Sequence, residues 1–210
     1  MIRPVTRGQT IKQRAENEVE FGRIIAFSDG VFSIAITLLV LNLSIEKGLT
    51  EGQLDDALWD LREVFLAYAI SFAVIGRFWL VHHRFFAEVK AFDRRLIALN
   101  MLYLGWIVLI PFSSEVLGEY NGKTPGVALY SVNLAVVVMV GLVMNVYARR
   151  HGLTEVDDRT HRESQLRAAY IAGIFLLSVP LAFFAPSIAP YLWLALFFDP
   201  SSRVARRASD

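Results

Sequence analysis

Four polar side chains, Ser28, Asp29, Ser33 and Thr37, interrupt an otherwise apolar segment at residues 23–43. About 20 apolar residues cross the hydrocarbon core of a bilayer, so this segment is long enough to be a membrane helix. An ionisable group at mid-depth costs roughly 2.5–3.5 kcal/mol on insertion scales, so Asp29 needs a polar partner or water. A carboxylate in this position indicates a structural polar contact or a pathway for ions or protons.

The second apolar run supplies candidate partners for this carboxylate. Trp79 carries one N–H donor, and His82 carries a donor or an acceptor, so we predict a polar cluster that joins them to Ser28 and Asp29. A belt of interfacial aromatic residues is the alternative explanation for the Trp and His side chains. No metal site is expected, because the adjacent histidines 82 and 83 point about 100° apart on a helix and seldom bind one ion.

On a helical wheel, one face of the first segment forms a continuous line of side chains, which we call the stripe. The stripe contains Phe27, Gly30, Ile34, Thr37, Leu38 and Leu41, and Arg23 lies below it. Asp29 points roughly the opposite way, toward neighbouring helices. A stripe of this kind is typical of a helix–helix contact in which glycine permits close approach. Several copies of it around an axis would instead line a pore, and spacing alone leaves both interpretations open.

The composition indicates an integral membrane protein. The 210 residues are 55% hydrophobic with a mean hydropathy of +0.44, which is too apolar for an ordinary soluble domain. A net charge of +1 gives no reason to expect a nucleic-acid partner, and the absence of cysteine excludes a disulfide framework. Apolar runs cover about 24–45, 64–82, 96–117, 126–147, 168–185 and 187–199. The sixth run is short for a span, and prolines interrupt the last two.

Basic residues alternate with the apolar runs in a way that predicts topology. Lys and Arg precede the first run, lie between the second and third and between the fourth and fifth, and end the chain. The positive-inside rule makes these segments cytoplasmic, which requires an even number of crossings. We therefore predict an all-α, polytopic protein of the plasma membrane with six transmembrane helices and both termini in the cytoplasm. Its predicted parts are a cytoplasmic segment at 1–22, a membrane domain at 23–199 and a cytoplasmic tail at 200–210.

A specific family resemblance rests on the first two runs. Arg23, Phe27, Ser28 and Asp29 form an Arg-x-x-x-Phe-Ser-Asp pattern that resembles the signature of the transmembrane protein 175 family of potassium channels. Residues 78–84, Phe-Trp-Leu-Val-His-His-Arg, resemble the Trp-x-x-His-His ending of the family's second span. Further similar positions are Asn100, Pro111, Phe112 and the segment 117–120. The resemblance covers about the first 145 residues, and the last two spans match only in hydrophobic layout.

The resemblance implies a potassium-selective channel, built from six-helix repeats, in which the first helix of each repeat lines the pore. One repeat per chain implies a homotetramer in the lipid bilayer, with potassium as the permeant ion and with no cofactor or other metal. Carried over by position, Ile34 is the main constriction, Leu38 and Leu41 form rings further out, and Thr37 supplies a hydroxyl. Two residues depart from the family pattern. Gly30 stands where bulkier residues are common in the family, and Arg77 stands where the family usually has an apolar residue.

Two other classes of protein compete with this interpretation. A proton-coupled transporter would use Asp29 and His82 as a relay, but paired Gly/Pro interruptions typical of alternating access are not evident in the first four runs. A membrane hydrolase would use the histidines with a metal, but the sequence has no His-Glu-x-x-His motif and no nucleophile elbow. The chain is therefore not expected to be an enzyme.

Overall fold

The computed structural model describes residues 7–120, 123–154 and 158–198. Within these residues the regular structure is helical, with one isolated antiparallel bridge between Val89 and Thr154. The α-helices are α1 (Arg7–Leu38), α2 (Glu51–Asp60), α3 (Arg62–Glu88), α4 (Arg94–Val108), α5 (Ile110–Glu119), α6 (Thr124–Arg150) and α7 (Asp158–Phe184). Two 3₁₀ helices follow α1 and α7, at Leu39–Asn42 and Ala189–Phe198.

In the described part of the chain, five segments are long and apolar enough to cross a membrane. They are Val19–Asn42, Arg62–Glu88, Arg94–Glu119, Thr124–Arg150 and Gln165–Phe184. The all-α, multi-pass class and the first five apolar runs of the sequence are thereby confirmed. The first span belongs to a helix that is already continuous from Arg7, so no break separates it from the predicted segment 1–22. The predicted tail at 200–210 lies outside the described residues.

The sixth apolar run folds as a 3₁₀ helix of ten residues, Ala189–Phe198, instead of a long α-helix. A rise of about 2.0 Å per residue makes it roughly 20 Å long. Its depth is fixed at one point, where the Tyr170 hydroxyl donates to the carbonyl of Ala195 at 3.0 Å. Tyr170 lies 14 residues (184 − 170) before the end of α7, about 21 Å along the axis. The run therefore returns along about half of α7, and its crossing of the membrane stays a prediction.

The third span is divided into α4 and α5 at Leu109, a division that the apolar pattern did not predict. Pro111 lacks an N–H and cannot donate to the carbonyl four residues earlier, so the α4 ladder ends there. The carbonyl of Pro111 accepts a hydrogen bond from the Asn42 side chain at 3.2 Å, which ties the 3₁₀ helix after α1 to α5.

The acidic connection after the first span contains the short helix α2. The backbone N–H of Thr50 donates to the Gln53 side chain at 2.9 Å, and this hydrogen bond caps the start of α2.

Small polar side chains join the spans in the interior. Ser71 of α3 donates to Ser114 of α5 at 2.8 Å and lies 3.0 Å from the Tyr130 hydroxyl of α6. Ser178 of α7 is hydrogen-bonded to Ser131 of α6 at 2.6 Å. Side chains of this size let helix backbones approach closely, and their hydrogen bonds satisfy groups that hydrocarbon cannot. These contacts join α3, α5, α6 and α7 without using the polar residues of α1.

Candidate functional site

The stripe of α1 faces away from the rest of the chain. Ile34 is 58% exposed and Leu41 is 69% exposed, whereas Ala35, next to Ile34, is fully buried. Gly30, Thr37, Leu38 and Phe27 are exposed as well. The opposite face of α1 packs against the bundle through Phe32 and Leu39. One subunit therefore leaves the whole predicted pore face uncovered.

The 3₁₀ turn at Leu39–Asn42 extends both faces outward. Residues three apart eclipse one another in a 3₁₀ helix, so Leu41 lies above Leu38 on the exposed side. The same spacing places Asn42 above Leu39 on the packed side, where Asn42 reaches Pro111. In an α-helix, residues three apart would lie about 60° away from each other around the helix axis. The tighter 3₁₀ turn therefore keeps the exposed and packed faces separate.

Thr37 directs its hydroxyl proton into its own helix. Its Oγ1 donates to the carbonyl of Ile34 at 2.9 Å, one turn earlier. Because a hydroxyl has one proton and two lone pairs, the oxygen keeps acceptor capacity on an exposed surface. Such an oxygen can accept a hydrogen bond or coordinate a cation.

A directional chain of hydrogen bonds, which we call the inner polar chain, fastens the packed face of α1. It consists of Ser28, Asn100 and His82, all buried, on α1, α4 and α3. His82 Nε2 lies 2.8 Å from Asn100 Oδ1, Asn100 Nδ2 donates to Ser28 Oγ at 3.0 Å, and Ser28 Oγ donates to the carbonyl of Ile24 at 2.9 Å. Since the Asn100 oxygen accepts, His82 is the donor and carries its proton on Nε2.

Three aromatic rings surround His82. Its ring centroid lies 4.6 Å from that of Phe86, 5.3 Å from that of Phe32 and 5.6 Å from that of Tyr103. Phe32 belongs to α1, so the enclosure joins the same three helices as the hydrogen bonds. Such a packed and hydrogen-bonded arrangement fixes the rotation of α1 about its own axis.

Asp29 has a separate partner. Trp79 Nε1 donates to Asp29 Oδ1 at 2.9 Å, and the Trp79 ring packs against His83 at a centroid distance of 5.6 Å. The four predicted residues thus lie on two neighbouring connections, Asp29 with Trp79 and Ser28 with His82 through Asn100. Arg23 is exposed and makes no hydrogen bond or ion pair with the residues that the structure describes.

Asn100 is the one member of the inner polar chain for which the sequence predicted no contact. It stood out in the sequence only as one position of the family resemblance. An amide in an otherwise apolar run was the available signal, since a buried amide requires both donors and acceptors. Among the described residues, no three His, Asp or Glu side chains come close enough to hold a metal ion.

A second anchor lies at the cytoplasmic end predicted for α3, α4 and α6. Asp93 caps α4 by accepting from Leu96 N at 2.8 Å, and the Tyr147 hydroxyl donates to its other oxygen at 2.5 Å. The Tyr147 hydrogen bond, followed by that from Leu96 N, lowers the pKa of Asp93 below its ordinary value. Gly152, at φ +66°, ends α6 and lets Leu153 O accept from Lys90 N at 2.9 Å.

Membrane-length helices joined by interior polar contacts define a multi-pass membrane protein. The sequence profile of the family described as "Endosomal/lysosomal potassium channel TMEM175" matches residues 23–111. The potassium channel of Streptomyces collinus is 36% identical over 193 residues, covering 85% of this chain and 91% of that protein. The chain belongs to the TMEM175 family.

Two further relatives cover most of the chain. The potassium channel of a Chryseobacterium species is 31% identical over 195 residues, covering 90% of this chain and 98% of that protein. The crystal structure of a lysosomal potassium-selective channel TMEM175 homolog from Chamaesiphon minutus superimposes with a TM-score of 0.74 at 28% identity. That comparison covers 91% of this chain and 100% of the other.

Proposed function

We propose that this chain is the subunit of a homotetrameric, potassium-selective channel whose pore is lined by the stripe of α1. Membership of a family described as potassium channels supports conduction of potassium. The uncovered stripe is the observation that carries the assignment of the pore. Its residues are all exposed on the isolated subunit, while the opposite face of the same helix packs against the bundle.

The proposed gate is a ring of Ile34 side chains. Four branched hydrocarbon groups around an axis make a narrow constriction that water leaves, and a dry constriction blocks ions without a moving plug. Leu38 and Leu41 add rings at steps of four and three residues further out. A small rotation of α1 is sufficient to widen the ring, and the inner polar chain sets the resting angle.

The proposed selectivity element is the Thr37 hydroxyl, which lies three residues beyond Ile34. Potassium sheds its hydration water at a lower cost than sodium, so a site with few oxygens favours potassium. The Thr37 hydroxyl donates its proton to the Ile34 carbonyl, so the lone pairs of the Thr37 oxygen can replace part of the hydration that potassium loses.

The proposed setting is the plasma membrane with both termini in the cytoplasm. This orientation rests on the Lys and Arg residues at 84–95, 149–167 and 203–207, which alternate with connections of low positive charge. A cysteine introduced at Ser209 should be inaccessible to an impermeant maleimide in intact cells and labelled after lysis. Labelling in intact cells would contradict the proposed orientation.

Reconstitution tests the function. Purified protein in planar bilayers with opposed potassium chloride and sodium chloride solutions should give unitary current steps and a reversal potential displaced far from zero in the direction that opposes potassium flow. A reversal potential near zero would contradict selectivity. Flux that saturates with substrate, without current steps, would favour a transporter.

The transporter alternative, with Asp29 and His82 as a relay, gains no support from the hydrogen bonds. Asp29 accepts from Trp79, whereas His82 bonds to Asn100, so the two groups do not share a direct bond. Asp29→Asn keeps an oxygen for the Trp79 donor but cannot carry a proton. We expect this variant to conduct potassium, and loss of flux in a normally assembled variant would favour the relay.

A further inference from the structure

A cavity of about 400 Å³ lies between α3 on one side and α6 and α7 on the other, and we call it the inner cleft. Arg77 and Arg84 line it from α3, Arg167 from α7 and Asn145 from α6. Tyr103 and His82 form part of its wall, so the cleft borders the inner polar chain. It occupies the half of the bundle that the positive-inside rule assigns to the cytoplasm.

Arg77 is the residue that makes this cleft unusual. It lies 11 residues (88 − 77) before the end of α3, about 16 Å along the axis, and hence near the middle of a 27-residue span. Its side chain is exposed and makes no hydrogen bond or ion pair with the described residues. A guanidinium at this depth is costly in hydrocarbon unless it extends toward the interface or meets a counter-ion.

Arg84 lies seven residues further along the same helix face. Two helical turns of seven residues span about 10 Å, and a long side chain on Arg77 can extend toward the interface across much of that gap. Glu88, one turn beyond Arg84, is the acidic residue in the cleft lining, and it is exposed at the mouth. The lining therefore keeps a net positive charge.

The remaining lining is apolar. Val81 and Phe78 of α3 face Val138 of α6 and Ile171 of α7 across the cleft. A ligand that fits must place an anionic group at the two arginines and hydrocarbon against these walls. A phospholipid with an anionic headgroup has both parts, and basic pockets between membrane helices on the cytoplasmic side suit such lipids.

We propose that the inner cleft binds one anionic phospholipid of the cytoplasmic leaflet, with its phosphate between Arg77 and Arg84 and an acyl chain along the apolar walls. The guanidinium groups supply charge-assisted hydrogen bonds to the phosphate oxygens. A zwitterionic lipid of equal chain length lacks the net charge and binds more weakly.

Lipid retention tests the proposal on the intact assembly. Delipidated protein is exposed to mixed micelles with equal amounts of phosphatidylglycerol and phosphatidylcholine, and the lipid retained per subunit is counted by native mass spectrometry. The parent should retain phosphatidylglycerol in several-fold preference, and Arg77→Leu combined with Arg84→Gln should lose that preference. Arg94→Gln is the matched control, because Arg94 is exposed at the start of α4 and lies outside the cleft lining.

Three results would overturn the proposal. The first is retention of phosphatidylglycerol by the double variant at the level of the parent. The second is an equal loss of preference in Arg94→Gln, which would indicate general attraction of the lipid to the protein surface. Displacement of the lipid by inorganic phosphate alone would indicate a site for free anions. If the double variant fails to fold, the single variant Arg84→Gln tests the proposal by the same measurement. This substitution should not disturb the fold, because Arg84 is exposed near the end of α3 and has no hydrogen bond or ion pair with the described residues.

Discussion

At the scale of single residues, Ile34 and its neighbour Ala35 show how sharply α1 divides into two faces. Their side chains are 58% and 0% exposed, although they are adjacent in the chain. More than half of the Ile34 side chain lies outside the packing of its own subunit, whereas Ala35 is fully enclosed. Substitutions on the exposed face of this helix should therefore disturb the fold less than substitutions on its packed face.

We expect Ile34→Asn to raise the resting potassium current about tenfold, the effect of a barrier lowered by roughly 1.4 kcal/mol. The amide is close in size to the isoleucine side chain but holds water in the ring, so hydrated ions pass and preference for potassium over sodium falls. Bilayer recording checks this, with Ile34→Val as a control that keeps the ring branched and dry.

Thr37→Val should weaken selectivity with little change in leak, because it removes the hydroxyl and keeps the shape. The same recordings measure its reversal potential. If Ile34→Asn conducts and selects like the parent, the stripe is a packing surface and the pore lies elsewhere.

At the scale of elements, the inner polar chain decides how α1 is oriented against α3 and α4. Asn100→Ala should remove both of its hydrogen bonds and leave the buried groups of Ser28 and His82 without these partners. Each unsatisfied group costs about 1–3 kcal/mol. We expect lower thermal stability and poorer assembly in mild detergent, measured by fluorescence-detected size exclusion during heating.

Asn100→Asp is the informative companion variant. It retains an acceptor for His82 but loses the donor to Ser28, so we expect an intermediate loss of stability. Equal stability of Asn100→Ala and the parent would mean that the aromatic enclosure alone holds the three helices.

The second anchor, at Asp93, predicts an acid dependence. The pKa of Asp93 is lowered by the Tyr147 hydroxyl and by Leu96 N, so the charged form is favoured in the folded state. Its stabilising contribution is complete above the ordinary Asp pKa of about 3.9 and is lost as pH falls through the lower pKa of the folded state. The difference in melting temperature between the parent and Asp93→Asn should be constant from neutral pH to about pH 5 and shrink below about pH 3.9. A difference that does not change with pH would contradict this assignment.

At the scale of the whole molecule, the absence of native cysteine makes assembly directly testable. Leu41→Cys places a single thiol on the exposed stripe at the outer end of the first span. If the stripes of four subunits converge, mild oxidation should link most subunits in pairs on a non-reducing gel. Val132→Cys is the control, because Val132 is exposed on α6 and lies away from the stripe.

Equal cross-linking of the two variants would indicate random collision, and none in Leu41→Cys would contradict convergence of the stripes. Mass photometry of the unoxidised protein in mild detergent gives the subunit number independently. A stable monomer or dimer would contradict the homotetramer.

The amino-acid sequence by itself determined the class of protein and the positions of the first five spans. Those features depend on the length of each apolar run, and a bilayer imposes that length locally. The family was also readable from short motifs around Asp29 and His82. The 3₁₀ form of the sixth run was not determined by hydropathy, which records length and polarity but not helix type.

Only the tertiary structure decided which polar groups meet. Ser28 bonds to Asn100 across 72 residues of sequence, and Trp79, not His82, donates to Asp29. A helical wheel gives the direction of a side chain on its own helix, but the partner depends on how several helices are rotated and translated against one another. The inner cleft has the same origin, because Arg84 and Arg167 lie on helices that only the packed bundle brings together.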